Sequence, residues 1–305
     1  MTRRSNSGEG AVTGRRAMAP RSNSGEAPED HSPTPHSSGI AGTARIEAAF
    51  QAAKAEGRAA LMPYMMAGYP DRESSLAVAE AYAESADLVE LGVPFSDPLA
   101  DGPTIHAAAT KALGAGATLD TAIEVCEAIA DRVPVVFMVY ANMVLAQGGA
   151  EEFSRRALEA GAAGAIVPDL PLEEAEPVRT AFEDAGLVLV PLVAPTTPAA
   201  RRARICAVAG GFVYVVSTVG TTGERDEIPP QLAELVTATK AEAEVPVAVG
   251  FGIGTPEQAA QVGQIADGVI VGSRLVRAAG EAGGPEAAAQ AVGAFLRETR
   301  VALGG

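Results

Sequence analysis

The chain contains no tryptophan, two cysteines and three histidines, and its 23 lysines and arginines face 38 acidic residues. Each scarcity removes a class of function. A formal charge of −15 and a pI near 4.7 disfavour nucleic-acid binding, because phosphate backbones are held by clustered positive charge. Cys126 and Cys206 stand 80 residues apart, with no CxxC pair and no histidine at ligand spacing. That argues against a disulfide framework and against a structural zinc site, and no metal is expected. Both cysteines read as buried helix residues. His31 and His36 lie near the N-terminus, so His106 is the only histidine of the body, just past a helix start, where it reads as solvated. The body's lysines, Lys54, Lys111 and Lys240, all fall in helical stretches. A Schiff-base mechanism is therefore disfavoured. Apolar runs such as Val133–Tyr140 are strand-length and far too short to span a bilayer.

Residues 1–40 also lack something, namely any apolar period. They hold seven Ser, five Gly and four Pro, and the hexamer RSNSGE occurs at Arg4–Glu9 and again at Arg21–Glu26. Such a segment cannot bury enough surface to offset its ordering entropy. No apolar stretch follows Arg3-Arg4 or Arg15-Arg16, so neither pair reads as an export signal. Residues 1–43 are expected to be a disordered leader, or in part an upstream extension with Met18 as an internal start. Residues 44–305 are expected to form one domain in a reduced compartment, the cytoplasm.

What is present is a regular alternation. β-rich or apolar runs occur at Ala60–Met66, Ala86–Leu91, Pro134–Tyr140, Ala163–Val167, Leu187–Val190, Gly211–Val216, Val245–Val249 and Asp267–Val271. Ala/Glu/Arg-rich stretches with helical spacing lie between them, at Arg72–Glu84, Leu119–Ala130, Glu151–Ala160, Glu173–Ala185 and Pro229–Glu242, and helices near Arg45–Gly57 and Pro285–Ala302 close the ends. Strands that are apolar throughout and separated by helices are parallel strands covered on their faces. A doubly wound open sheet competes, but eight such units favour the α/β class and a (β/α)8 TIM barrel.

Active sites of such barrels lie at the C-terminal ends of the strands. The second unit ends in Leu88, Glu90 and a Pro-rich loop to Pro103. Period-2 alternation puts Leu88 and Glu90 on one face, so if Leu88 fills the barrel, Glu90 points at its mouth. A carboxyl among apolar residues has a raised pKa and suits proton transfer near neutrality. An ion-paired core glutamate is the alternative. Asp101 follows in the loop as a second acid, or else as the N-cap of a helix starting at Pro103. Asp97, before Pro98, reads as a turn residue. Gly-rich turns after units six, seven and eight (Ser217–Gly223, Gly250–Gly254, Gly272-Ser273) allow close backbone approach to an anion, and a short helix from Ser273 would aim its positive end there.

The block from Glu90 to Ile105, ELGVPFSDPLADGPTI, is similar to the signature of the tryptophan synthase alpha chain family. The resemblance continues through Met62–Asp71, Tyr140–Val144, Val167–Leu172, Tyr214–Gly223, Gly250–Gly254 and Val271–Ser273. It implies a barrel lyase that cleaves indole-3-glycerol phosphate to indole and glyceraldehyde 3-phosphate by a retro-aldol reaction. Under it, Glu90 is the acid/base at the glycerol hydroxyl and indole C3, and Asp101 accepts the indole N–H. Gly223, Gly252, Gly272 and Ser273 would hold the phosphate, and Tyr64, Ile105, Tyr140, Tyr214 and Phe251 the indole. Thr222 would belong to a closing loop. The resemblance also implies a beta chain partner in an alpha2beta2 heterotetramer, with pyridoxal phosphate in that chain and no cofactor in this one. A free-standing lyase or another phosphate-binding barrel of tryptophan biosynthesis is the alternative, but such relatives need a catalytic Lys or Cys at a strand end. An idle scaffold subunit would be expected to lack Glu90 or Asp101.

Overall fold

The computed structural model describes residues 42–146, 148–216, 229–250 and 252–304. Nine strands are present among them: β1 (Ala60–Met66), β2 (Val89–Gly92), β3 (Val135–Met138), β4 (Gly164–Ile166), β5 (Val188–Val190), β6 (Leu192–Val193), β7 (Val213–Val216), β8 (Val247–Gly250) and β9 (Gly268–Val271). Their spatial order is β5-β4-β3-β2-β1-β9-β8-β7-β6, and every pairing is parallel. β5 and β6 are two halves of one stave, divided at Pro191, so the ring has the eight staves of a TIM barrel. The division has a local cause. Proline has no N–H for a ladder, and Pro191 contributes only its carbonyl, which accepts from the Tyr214 amide at 3.0 Å.

The helices are α1 (Gly42–Ala55), α2 (Arg72–Ala83), α3 (Pro103–Gly114), α4 (Leu119–Ile129), α5 (Ala141–Leu145) and α6 (Gly149–Glu159). They continue with α7 (Glu176–Asp184), α8 (Ala199–Ala207), α9 (Pro230–Glu242), α10 (Pro256–Gly263), α11 (Ser273–Glu281) and α12 (Pro285–Leu303). Of these, α5, α8 and α10 are not anticipated by the spacing of apolar residues, and α1 starts at Gly42, ahead of the expected boundary. Several starts are capped by side chains. Asp71 accepts from the Ser74 amide at 2.8 Å, and Thr118 and Thr255 each form a reciprocal capping box with the residue three positions on. Cys126 and Cys206 are buried on α4 and α8. Among the described residues no helix is long and apolar enough to cross a membrane.

Two apolar layers result. One lies between staves and helices. The other fills the barrel with Met62, Leu88, Val136, Ile166, Val190 and Ile270. It is closed below by α1, whose Ile46 and Phe50 join the same cluster. Gly42 allows that closure: a Cβ there would stand 1.9 Å from the Ala163 carbonyl oxygen. The Arg45 guanidinium then donates to the carbonyls of Gly161, at 2.6 Å, and of Ala130, both of which precede staves at the lower end.

A buried ion cluster pins the same end. Arg58, ahead of β1, donates twice to Asp87, ahead of β2, at 2.5 and 2.8 Å. Asp87 also accepts from the Leu61 amide at 2.7 Å and from Arg300 of α12 at 3.1 Å. The Arg58 and Asp87 side chains are only 2% and 8% exposed. Removing one partner of a buried pair strands the other charge. Asp87→Ala is accordingly expected to lower unfolding free energy by about 3–5 kcal/mol, as read from a urea melt. Val301→Ala on the exposed face of α12 should cost less than about 0.5 kcal/mol.

Candidate active site

Glu90 sits at the mouth end of β2, in register with Tyr64 of β1 and Val136 of β3. The inward row of β2 therefore runs from Leu88, in the barrel layer, to Glu90, which is 1% exposed. No cation pairs with it among the described residues, and its Oε2 has no hydrogen-bond partner among them. The ion-paired core reading is thereby set aside. Burial, and secondarily the charge of Asp101, pushes the Glu90 carboxyl up to about 8. It holds its proton at neutral pH. A carboxyl raised in this way keeps in the folded state a proton that the unfolded chain releases near its ordinary value. Its contribution to stability therefore falls as pH rises from there through about 8.

Asp101 comes from the loop after β2. The helix it precedes is capped at Gly102, with no side-chain bond, so the N-cap reading of Asp101 does not hold. Its carboxylate instead meets the Tyr140 hydroxyl. That hydroxyl also accepts from the Ala100 amide at 3.1 Å, and the Tyr140 ring stacks on Phe95 with centroids 4.9 Å apart and planes 24° apart. One aromatic residue thus holds both ends of the loop. Burial raises Asp101 to about 6, against opposing help from the Tyr140 hydrogen bond and from His106. His106 itself is exposed on α3. At pH 7 the two carboxyls are therefore in different states, one neutral and one ionised. Asp97 lies on the outer side of the loop, exposed, and accepts from Ser96 Oγ at 2.6 Å.

Tyr64 and Tyr214 form the walls. Burial, reinforced by the nearby Glu90 and Asp101, raises both phenols well above their ordinary value, so they remain neutral. Each ring depends on a glycine in the next stave. A Cβ on Gly92 would lie 2.1 Å from the Tyr64 hydroxyl oxygen, and one on Gly250 would lie 2.4 Å from that of Tyr214. Tyr82 of α2 donates to the Tyr64 carbonyl at 3.1 Å and fixes the end of β1. Ile105 on α3 is buried in one cluster with Tyr64, against which Met138 of β3 packs.

The glycine turns read from sequence as an anion site follow the neighbouring staves β8 and β9. Gly252 has φ +35, a left-handed conformation that favours glycine. Gly272 is the N-cap of α11 and Ser273 its first residue, with no side chain capping the helix. The first-turn amides there form the positive end expected to receive an anion. Thr222, Gly223 and Phe251 lie outside the described residues. Residues that sequence reasoning missed are Phe95, Gly92 and Met138, and Gly250 was read as part of an anion turn and not as space for Tyr214. Met138 had a period-2 signal after Val136, but the glycine contacts exist only across staves. Among the described residues, no group of three or more His, Cys, Asp or Glu is arranged for a metal.

The family model described as tryptophan synthase alpha chain matches residues 50–303. The tryptophan synthase alpha chain of Prochlorococcus marinus (strain MIT 9313) is 47% identical over 265 residues, covering 86% of this chain and 96% of the relative. That of Carboxydothermus hydrogenoformans is 46% identical, covering 76% and 88%. A solved structure of Mycobacterium tuberculosis tryptophan synthase superposes with a TM-score of 0.79 at 39% identity, covering 85% of this chain and 98% of that one.

The approach at Gly92 has a measurable consequence. In Gly92→Ala the methyl must displace the Tyr64 ring, an overpacking cost of about 1–3 kcal/mol. Thermal unfolding should shift down accordingly, and catalytic turnover should fall with it. An unchanged melting curve would mean that the ring moves freely.

Proposed function

The chain belongs to the tryptophan synthase alpha chain family and cleaves indole-3-glycerol phosphate to indole and glyceraldehyde 3-phosphate; we propose that Glu90 and Asp101 carry out the chemistry. The observation that carries this assignment is the buried carboxyl of Glu90, whose Oε2 has no hydrogen-bond partner among the described residues, with Asp101 near enough to act on it. Glu90 donates its proton to indole C3, which gives an indolenine with positive charge on nitrogen. Asp101 accepts the N–H and stabilises that charge in a site of low dielectric. The Glu90 carboxylate then takes the proton of the glycerol hydroxyl. The O–H electrons become the aldehyde C=O, the carbon–carbon bond breaks, and its electrons return to the ring. Glu90 ends as it began, so one carboxyl serves as acid and base.

Tyr64, Ile105, Tyr140, Tyr214 and Phe251 enclose the indole in this reading. Gly223, Gly252, Gly272 and Ser273 hold the phosphate, whose binding energy orients the reacting carbons. Thr222 belongs to a loop that closes over the substrate. No cofactor is needed in this chain; pyridoxal phosphate belongs to the beta chain, with which it forms an alpha2beta2 assembly in the cytoplasm. Support for the docking face comes from Leu99 and Leu145, which are 89% and 55% exposed, and from Asp97, exposed in the same loop as Leu99. The proposed leader shortens to residues 1–41, which lie outside the described residues, because Gly42 and Thr43 belong to α1.

Indole release by the purified chain tests the chemistry. Glu90→Gln is expected to lose about 10²–10⁴-fold in turnover while still binding inorganic phosphate, because the cradle is remote from β2. It should also lose the fall in stability between pH 5 and 8, roughly the window set by the raised carboxyl. Asp101→Asn should fall similarly in rate. In the parent chain the rate should rise with an apparent pKa near about 6, as Asp101 ionises, and fall near about 8, as Glu90 loses its proton. Near-normal turnover in Glu90→Gln would make that residue structural.

Partner dependence is tested by adding a beta chain. Turnover should be slow alone and increase strongly in the complex, since closing the mouth excludes water and completes the site. Asp97→Ala should weaken that activation and leave the isolated chain unchanged. A free chain already working at its complexed rate would refute the coupling.

A further inference from the structure

Tyr140 is held from a second side. Asp169, in the loop after β4, accepts the Ala141 amide at 2.8 Å through Oδ1. Ala141 is the first residue of α5, and Tyr140 is its N-cap, extended at φ −79 and ψ 146, with no side-chain cap bond of its own. A tyrosine cannot reach back to the first-turn amides as serine or aspartate does. Asp169 supplies that acceptor from another stave. The peptide it holds is the one that joins Tyr140 to the helix, so the ring's stack on Phe95 and its hydroxyl's contacts with Ala100 and Asp101 all hang from this bond.

We propose that Asp169 is a positioning residue for the cleavage reaction, which by binding the Ala141 amide aims the Tyr140 hydroxyl at Asp101. The proposal rests on the assignment of Asp101 to the chemistry. Asp169 is exposed; among the described residues its hydrogen bond is the one from the Ala141 amide, and its charge also acts on the Tyr140 phenol, favouring the neutral form. The groups that face Asp101 are Glu90 on β2, His106 on α3, Tyr140 ahead of α5, Tyr64 on β1 and Tyr214 on β7. Of these, Tyr140 and His106 favour the ionised form of Asp101, the Tyr140 hydrogen bond more strongly. Misplacing Tyr140 therefore raises the pH at which Asp101 becomes an anion. Binding at the phosphate end, on β8 and β9, is untouched.

Steady-state indole release by the full chain, as a function of pH, is the test. Asp169→Ala should lower kcat about tenfold, as expected for the loss of one orienting hydrogen bond, with KM changed by less than about twofold. Its acid limb should move to higher pH. Asp169→Asn keeps an acceptor oxygen and should restore both. In a Tyr140→Phe background, which has already lost the hydroxyl, Asp169→Ala should add nothing to the loss. The proposal fails if Asp169→Ala lowers only the melting temperature, leaves the acid limb in place, or acts additively with Tyr140→Phe. Asp101→Asn, run in parallel, separates the two levels. If that variant turns over normally, the assignment of Asp101 falls and the proposal with it; if it is impaired while Asp169→Ala is not, only the positioning role falls.

Discussion

Keeping one carboxyl group out of water is the constraint on which the rest of this structure depends. Glu90 is 1% exposed, and no cation among the described residues pairs with it. A carboxylate in that place is costly, so the group stays neutral. The surroundings that enforce this are the barrel itself. Apolar side chains from the inward rows lie beneath, α1 closes the lower end, and phenol rings stand beside the carboxyl at the level of the mouth. The ion cluster of Arg58, Asp87 and Arg300 lies at the opposite end, where its charges meet their partners and remain apart from the site. Charge is thus sorted along the barrel axis, with satisfied pairs below and a deliberately unpaired acid above.

Asp101 shows how a second acid a few residues on acquires the opposite state. It arrives on a loop, is less deeply buried than Glu90, and has a hydroxyl donor beside it. The donor favours the anion, whereas no such donor is available to Glu90 Oε2 among the described residues. Two neighbouring carboxyls are also coupled, since the charge of Asp101 is itself a reason for Glu90 to stay protonated. Environment divides the roles, and residue type does not.

Much of this could be read before any coordinates. Period-2 alternation put Leu88 and Glu90 on one face and placed the acid at the mouth on the condition that Leu88 fills the barrel, which it does. The run Ala60–Met66 coincides with β1 to the residue. Other features carried no legible signal. Pro191 divides a stave because it brings no N–H to the ladder, and which neighbour that gap faces depends on sheet position. α8 is rich in arginine, and its apolar stripe reduces to Ile205 and Cys206. α10 did carry a signal, the Thr255 and Gln258 capping box, but its eight residues were too short to show a period. Asp101, taken alone, read first as a cap, since an aspartate before Gly-Pro-Thr is ordinary capping chemistry. The deciding contact, Tyr140, is 39 positions away and reaches the loop only through stave order.

The glycines at Gly92 and Gly250 illustrate the deeper limit. Each is an ordinary tight-turn glycine in sequence, yet each is required by a ring on the neighbouring stave. β1 pairs with β2 on one side and with β9 on the other. Tyr64 consequently spans the seam between chemistry and binding. Its hydroxyl lies over Gly92, two residues beyond Glu90, and its Cβ and ring lie within 3.7–3.9 Å of where a Cβ on Gly272 would stand. An anion drawn toward the amides of α11 would sit on one side of this ring while the carboxyls act on the other. A rigid ring clamped between two glycines cannot absorb displacement as a flexible side chain could. Under the proposed assignment, binding energy gained at the phosphate end would pass to the reacting carbons as position, which is the form in which remote binding accelerates a reaction.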